Sequence, residues 1–310
     1  MLMPILLAGA LGALPPPSAA GRPFLADPAI VCDACAEWNV PRAPFRLFGN
    51  TYYVGVAGLS AVLITSEKGH ILLDGGLPQS APLIHDNLRA LGFRTEDVRL
   101  IVSSHAHFDH AGGIAALQRY SHAEVAASAA GAKALGAGEP LANDPQHGFG
   151  HKANAFPPVS RVRTVQDGEV LRVGPLALTA HLTPGHTPGS TTWTWRSCEG
   201  PRCLDVVYAD SLNPVSAPGY RFRGGPKSDG IAARFRQSIA TVAGLPCDLV
   251  LSVHPDLVNL EEKQRARAAR PQGPDPFVDP RGCQSYAEEA ARRLDKRLAE
   301  EQGTLRPAGK

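Results

Sequence analysis

The chain has 310 residues, enough to bury a large core but too few for more than one large or two modest domains. Its 31 basic and 29 acidic residues leave a net charge of +2, which gives no reason to expect a nucleic acid or an acidic membrane surface as partner. The 31 Gly and 28 Pro residues are spread among apolar runs, so we expect many turns and short loops rather than disorder.

The first 20 residues have the pattern of an export signal. Residues 2–14 are almost continuously apolar, three prolines interrupt the run, and the small residues 18–20 suit a signal peptidase. A run of about 13 apolar residues is too short for a permanent membrane anchor. No Lys or Arg precedes it, so a disordered N-terminus is the alternative. We predict a signal peptide at residues 1–20 and a mature chain, residues 21–310, that forms a single domain in the periplasm without a membrane anchor.

The next part of the chain is predicted to be an extended arm followed by alternating strands and helices. The strands are β-branched and aromatic runs separated by Gly, and the first helix has Leu83, Ile84, Leu88 and Leu91 on one face. In chain order we predict an arm at 21–42, strands at 47–56, 60–65 and 70–74, a helix at 82–91, a strand at 98–103, a helix at 113–120, a strand at 123–127 and a helix at 129–135.

A polar, Pro- and Gly-rich segment at residues 136–158 is predicted to be a long mobile loop with a functional role. The elements predicted after it are strands at 161–165, 169–173, 176–182, 190–196 and 205–209, a helix at 231–244, a strand at 249–252 and a helix at 285–302. Two β-rich halves with helices outside them indicate an α/β fold, the αβ/βα sandwich, in which two mixed sheets pack face to face.

Three imidazoles and a carboxylate follow the predicted strand at 98–103 within six residues: His105, His107, Asp109 and His110. Zinc prefers nitrogen and oxygen donors of this kind, and a turn at a strand end can aim alternate side chains into one cleft. His105 and His107 can bind one ion, while Asp109 and His110 can reach a second one nearby. A chance cluster of surface histidines is the much weaker alternative.

A dinuclear site needs more ligands than this turn provides. His186 lies in a Pro- and Gly-rich turn after a predicted strand, and His254 follows another predicted strand. With them the set has five histidines and one aspartate, enough for two zinc ions that each keep an open position. The remaining histidines have no comparable setting, although His147 and His151 in the 136–158 loop are candidates for substrate contact.

The six cysteines are an even number, which suits an oxidising compartment. One pair lies five residues apart across a turn-like spacer, and a second pair would close a longer loop. The third pair forms a C-x-x-C motif. Because no second C-x-x-C occurs, we interpret it as a structural disulfide rather than half of a zinc site. The predicted disulfides are Cys198–Cys203, Cys247–Cys283 and Cys32–Cys35.

The pattern His105-x-His107-x-Asp109-His110, taken with His186 and His254, resembles the metallo-β-lactamase superfamily, and specifically its subclass B3. The first motif alone marks only the superfamily, which includes glyoxalase II, lactonases and RNA-processing nucleases. Further similarity at residues 49–55, 184–200 and 208–212, together with the export signal and the cysteine pairs, narrows the resemblance to B3. It covers the chain from about residue 38 to the C-terminal helix.

The resemblance implies a particular role for each site residue. One zinc would be held by His105, His107 and His186, and the other by Asp109, His110 and His254. Ser211 occupies the position of a Cys ligand in other subclasses and would line the substrate side. The other residues implied to contact substrate are Asn213, Gln146 and Trp38. Relatives often carry Ser or Thr in place of Asn213, while loop solvation and arm packing are the alternatives for Gln146 and Trp38.

The activity implied by the resemblance is hydrolysis of penicillins, cephalosporins and carbapenems by a monomeric enzyme, with antibiotic resistance as the result. A hydroxide produced at the two zinc ions would attack the lactam carbonyl, oriented by the catalytic Asp109. The main rival is a lactonase or a glyoxalase II-like thioesterase, in which Asp210 would bridge the metals. A secreted zinc-binding protein without turnover is a rival of another class. An exported chain with no basic stripe gives little support to a nuclease.

Overall fold

The computed structural model describes residues 22–225 and 230–303, so the predicted signal peptide lies outside the described residues. Within the described residues, the first sheet has seven strands in sequential order. Strands β1 to β4 pair antiparallel, and β4 to β7 pair parallel. The strands are β1 (Phe45–Phe48), β2 (Thr51–Tyr53), β3 (Val62–Ile64), β4 (His70–Leu73), β5 (Val98–Val102), β6 (Glu124–Ser128) and β7 (Val162–Val165).

The second sheet, of five strands in the described part of the chain, is an antiparallel meander extended by one parallel strand. Its order is β12-β11-β10-β9-β8, with β12 parallel to β11. The strands are β8 (Val170–Val173), β9 (Leu176–Leu182), β10 (Thr191–Glu199), β11 (Arg202–Ala209) and β12 (Leu249–Ser252).

Helices lie before, between and after these strands. The α-helices are α1 (Cys35–Trp38), α2 (Ser80–Ala90), α3 (Phe108–Ala111), α4 (Ile114–Ser121), α5 (Ala129–Ala137), α6 (His151–Asn154), α7 (Ala232–Gly244), α8 (Leu260–Ala269) and α9 (Gly282–Glu301). Short 3₁₀ helices occur at Thr95–Asp97, His147–Phe149 and Pro255–Val258. None of the helices within the described ranges is both long and apolar enough to cross a membrane.

The central strands of the first sheet are apolar on both faces because each face is covered. In β4, Ile71 and Leu73 belong to the core between the two sheets, whereas Leu72 belongs to a second cluster with Ile84 of α2 and Leu117 of α4. Strands covered on both sides read as continuous hydrophobic runs rather than alternating ones. The structure therefore confirms the predicted αβ/βα sandwich of two mixed sheets.

Three predicted segments differ from the structure. The strand predicted at 47–56 is a hairpin, β1–β2, which turns at Gly49 with a left-handed φ of 51°. The arm contains helix α1, and the segment 136–158 contains the 3₁₀ helix His147–Phe149 and helix α6. Helix α8 was not predicted, because its sequence is polar and Leu260 is its one buried residue, so it has no apolar stripe to detect.

All six cysteines are paired in the structure, as Cys32–Cys35, Cys198–Cys203 and Cys247–Cys283. The last bond ties α9 to the segment that enters β12. The second links β10 to β11 beside their connecting turn. These are the three pairs that the sequence predicts.

Candidate metal centre

A buried network of hydrogen bonds fixes the His-rich turn after β5. Asp74, at the end of β4, accepts hydrogen bonds of 2.7 Å from the amide and the hydroxyl of Ser104 and one of 2.8 Å from the Tyr208 hydroxyl. Asp74 has a left-handed φ of 59°, which is strained for a residue with a side chain and persists only where the surroundings demand it. On the other side, the Trp193 indole donates to the carbonyl of Ser103. The turn is therefore held from both sheets.

Two groups of ligand atoms converge at the end of this turn. One comprises His105, His107 and His186, and the other comprises His105, Asp109 and His110, with the atoms of each group within 4.8 Å of one another. All five side chains are buried. His254 completes the second group from the end of β12, since its Nε2 lies 3.2 Å from Nε2 of His110 and 3.4 Å from the Asp109 carboxylate.

Hydrogen bonds on the outer side fix several of these imidazoles. Nδ1 of His105 lies 2.6 Å from the Asp210 carboxylate, and Nδ1 of His186 donates at 2.7 Å to the carbonyl of Asn213. Nδ1 of His254 donates at 3.2 Å to the carbonyl of Gly58. A proton held on Nδ1 leaves Nε2 with a lone pair, which is the arrangement that metal-binding histidines adopt.

His107 is held differently from the other histidines. Its Nε2 lies 3.1 Å from the carboxylate of Asp144, and its Nδ1 lies 3.4 Å from the amide nitrogen of Gln146. The same amide nitrogen lies 3.4 Å from Nε2 of His186. The segment 136–158, predicted as a loop with a functional role, therefore supplies two side chains that contact the ligand cluster.

The protonation of the cluster suits a cation. Burial, followed by the neighbouring histidines, lowers the pKa of His105 well below its ordinary value, and burial lowers the pKa of His186 to about 3. Burial acts to raise the pKa of Asp109, but His110 and His254 outweigh it and hold that pKa well below the ordinary range. Burial acts to lower the pKa of His254, but Asp109 outweighs it and raises that pKa above its ordinary value. At neutral pH the centre thus has neutral imidazoles at His105 and His186 and an ionised carboxylate at Asp109.

The donor set passes a direct test of fit to a metal. Nε2 of His105 is buried without any hydrogen-bond partner among the described residues. Buried polar atoms in proteins are normally paired, so an unpaired nitrogen at the centre of a histidine cluster indicates a ligand atom. Nitrogen and carboxylate oxygen donors in groups of three match zinc that keeps an open position. The residues therefore fit a metal.

The cluster forms the floor of an open cavity of about 700 Å³. His107, Asp109, His186 and His254 reach into it, and the four residues predicted to contact substrate all line it: Trp38, Gln146, Ser211 and Asn213. Trp38 lies on α1 with its ring 5.4 Å from that of His254, centroid to centroid. The arm thus forms one wall of the cavity.

Two other histidines named as candidates do not line this cavity. Nδ1 of His147 is 3.2 Å from the Pro140 carbonyl, and His151 is exposed and pairs with Glu139. Asp210, considered as a bridging ligand, lies behind His105 and is not part of either ligand group. The sequence reasoning assigned no role to Asp144, although it stands two residues before Gln146.

The chain is similar in sequence and in structure to known metal-dependent hydrolases. Residues 54–199 match the family model of the metallo-beta-lactamase superfamily, Lactamase_B. The structure is similar to that of Rm3 metallo-beta-lactamase, with a TM-score of 0.84 and 52% identity over 88% of this chain and 99% of that one. It is also similar to MEM-A1, a subclass B3 metallo-beta-lactamase from a soil metagenome library, with a TM-score of 0.82 and 51% identity over 86% of this chain and 100% of that one.

Among curated proteins, the acyl-coenzyme A thioesterase MBLAC2 of Gallus gallus is 32% identical over 168 residues, which are 48% of this chain. The match spans only 58% of the thioesterase's length. The two structures, by contrast, are covered almost completely and at much higher identity. The chain belongs to the metallo-β-lactamase superfamily. Within that superfamily it belongs to subclass B3.

Proposed function

We propose that the protein is a di-zinc β-lactamase that opens the ring of penicillins, cephalosporins and carbapenems and thereby confers antibiotic resistance. The observation that carries the proposal is the convergence of two ligand groups on the floor of one open cavity. The near-complete structural match to metallo-β-lactamases supports the same activity. The closed ligand shell expected of a zinc-storage protein is not compatible with this open floor.

On this proposal, one zinc ion is held by His105, His107 and His186, and the other by Asp109, His110 and His254. When bound, zinc lowers the pKa of a coordinated water toward neutrality and polarises a carbonyl oxygen. The Asp109 carboxylate, whose pKa is held well below the ordinary range by His110 and His254, would orient such a water toward the cavity. We therefore assign Asp109 both a ligand and a catalytic role.

The remaining cavity residues bind and orient the substrate. Ser211 and Asn213 present neutral polar groups beside the floor, where they can hydrogen-bond to the carboxylate of the lactam nucleus. The Gln146 amide lies above His107 and His186, within reach of a substrate carbonyl. Trp38 covers His254 and excludes water from that side.

The protein is proposed to act as a monomer in the periplasm, as a single domain over residues 21–310 after removal of residues 1–20. Three disulfides support an oxidising compartment, because such bonds are rare where thiols are kept reduced. Mass spectrometry of the N-terminus of the exported protein would test the cleavage site. Finding Met1 on the periplasmic protein would contradict it.

Thioester hydrolysis is the second candidate, favoured by the similarity to the acyl-coenzyme A thioesterase. The bridging role that a thioesterase would require of Asp210 has less support, since that carboxylate hydrogen-bonds to His105 on the side away from the ligand groups. Thioester hydrolysis would therefore require Asp210 to bridge the metals, whereas β-lactam hydrolysis would not. Parallel assays on both kinds of substrate distinguish the two activities.

The test uses purified protein with added zinc, offered a penicillin, a carbapenem, a lactone and a coenzyme A thioester in parallel. We expect turnover of the β-lactams, loss on chelation, two zinc ions per chain and no inhibition by serine-acylating inhibitors. His110→Ala should remove one zinc and most of the rate, whereas the control His151→Ala, in an exposed loop, should change neither. Brisk thioester or lactone turnover without β-lactam turnover would overturn the proposal.

A further inference from the structure

The walls of the cavity are unusually one-sided in charge. The described residues that line it include four carboxylates and no Lys or Arg. One of the four, Asp109, belongs to the floor. The other three, which we call the rim carboxylates, are Asp33 and Glu37 on the arm and Asp256 after β12.

The rim carboxylates are not neutralised by the protein. All three residues are exposed, and within the described ranges none of them forms an ion pair. Elsewhere on the surface exposed acidic side chains do form ion pairs, as Glu261 does with Arg42. The negative charge at the rim therefore acts on whatever enters the cavity.

The arm that carries two of them is fixed in place. Asp33 lies inside the loop closed by the Cys32–Cys35 disulfide. Trp38 packs so closely on Gly58 that a Cβ there would lie 2.6 Å from the indole, and the Gly58 amide donates to the Trp38 carbonyl at 2.9 Å. Ile30 makes two further hydrogen bonds to the Gln79 side chain. The two carboxylates are thus held at the rim and are not on a free tail.

The floor and the rim of the cavity favour ligand groups of opposite charge. The floor, with its proposed metals and the neutral Ser211 and Asn213, suits the carboxylate that penicillin, cephalosporin and carbapenem nuclei carry. A side chain that extends outward from the nucleus meets the rim carboxylates on one wall and the exposed apolar groups of Phe149 and Val215 on another. A substrate with a negative nucleus and a positive side-chain substituent matches both ends.

We infer that Asp33, Glu37 and Asp256 make the enzyme select β-lactams with a cationic side chain over those with an anionic one. The inference rests on the proposed β-lactamase function and adds a substrate class to it. It assigns the rim carboxylates as specificity determinants that act through space on the substituent, without contact to the reacting bond.

Three penicillins provide a matched test, because ampicillin, benzylpenicillin and carbenicillin carry an ammonium, a hydrogen and a carboxylate on the same side-chain carbon. At low ionic strength we expect kcat/KM to fall in that order, with about tenfold between the first and the last, mainly through KM. Raising the salt to 0.5 M should shrink the span to about threefold or less, since exposed charges are screened beyond a few ångströms at high salt.

Charge-removing variants assign the effect to particular residues. In the triple variant Asp33→Asn, Glu37→Gln, Asp256→Asn the ratio of ampicillin to carbenicillin kcat/KM should fall by about fivefold or more. Each single variant of the three is compared with the control Glu67→Gln, which likewise removes one charge, from an exposed carboxylate in the turn before β4 at the end of the sheet away from the cavity. A ratio unchanged in the triple variant, or changed as much by Glu67→Gln as by each single variant, would overturn the inference.

A second measurement does not depend on turnover. The chain has three tryptophans, and Trp193 and Trp195 are buried, so quenching of the fluorescence by added ions reports mainly on Trp38 at the rim. In metal-free protein, caesium should quench more strongly than iodide, relative to N-acetyltryptophanamide, and the triple variant should lose that bias. A caesium bias without penicillin turnover would sink the proposed β-lactamase function alone, whereas turnover without the bias would overturn the inference alone.

Discussion

Replacing Asp210 by Asn tests how the protein prepares His105 to bind a metal. Asp210 is fully buried and lies 2.6 Å from Nδ1 of His105, on the side away from the ligand cluster. The carboxylate accepts the Nδ1 proton and so keeps a lone pair on Nε2. Asn has the same shape but no charge, and its amide can also donate to Nδ1, which would move the proton to Nε2.

The size of the effect follows from the kind of hydrogen bond that is lost. Hydrogen bonds to a charged group contribute about 1.5–3 kcal/mol, against about 1 kcal/mol for neutral pairs. The difference of about 0.5–2 kcal/mol corresponds to zinc binding weakened about 2- to 30-fold, at about 1.4 kcal/mol per tenfold. Burial raises the pKa of Asp210 well above its ordinary value, which disfavours its charged form in the metal-free protein. The loss should therefore appear in metal affinity and not in the stability of the metal-free protein.

Zinc affinity would be measured by competition with a chromogenic chelator, and stability by urea unfolding in the presence of EDTA. Asp205→Asn is the matched control, because Asp205 lies on β11, the strand that Asp210 follows, but is part-exposed beside Arg196. Zinc affinity within twofold of the parent protein would refute the reasoning. Equal destabilisation of the metal-free protein would show that the hydrogen bond serves the fold and not the metal.

Three further predictions concern residues outside the ligand set. Tyr286→Phe should lower the free energy of unfolding by about 1–3 kcal/mol, because the buried hydroxyl donates to the Asp210 carbonyl and accepts from the Leu212 amide, which would be left unpaired. Replacing Cys247 and Cys283 by Ser should cost about 4 kcal/mol by loop entropy across a separation of 36 residues, measured by urea unfolding. His85→Gln should reduce the decrease in the free energy of unfolding between pH 7 and pH 5. Burial lowers the pKa of His85 in the folded protein, so the unfolded chain binds the proton more readily. Protonation therefore favours unfolding as the pH falls below about 6.5 in the parent protein but not in the variant.

Each of the three has an internal comparison. Tyr52→Phe removes a hydroxyl that has no hydrogen bond within the described residues, so it should cost almost nothing, and an equal loss in both variants would contradict the role of Tyr286. The loop closed by Cys198–Cys203 is shorter, so removing that disulfide should lower the free energy of unfolding by only about 2 kcal/mol. A larger loss for Cys198–Cys203 than for Cys247–Cys283 would contradict the explanation by loop entropy. His151→Gln, on an exposed side chain, should leave the pH slope unchanged.

The parts of the site that could be predicted from the sequence are those whose signal is local. The His-rich turn directly follows β5, whose apolar run is easy to recognise in the sequence. That run is apolar because β5 is buried between the second sheet and the helices. His186 and His254 could be placed because each follows a strand. Local pattern and tertiary position agree at these points, as they do in most foldable sequences.

The parts that were missed depend on contacts between distant residues. Asp144 reaches His107 across 37 residues, and Tyr286 reaches the Asp210 carbonyl across 76. No local sequence pattern predicts either contact, since an aspartate before a proline and a tyrosine on a helix occur in many structural settings. Helix α8 was missed for a different reason, because it buries too little to impose a periodic pattern.

The ligands are separated widely along the chain, and this links metal supply to the lifetime of the protein. His186 and His254 follow strands of the second sheet, whereas the other ligands lie in the turn after β5 of the first, so neither proposed zinc site is complete until the sheets have docked. An ion that binds only the docked form adds about 4 kcal/mol to its stability when free zinc exceeds the dissociation constant a thousandfold. If zinc is the bound ion, zinc starvation would then increase the fraction of molecules open to proteases and would reduce the amount of the protein as well as its rate.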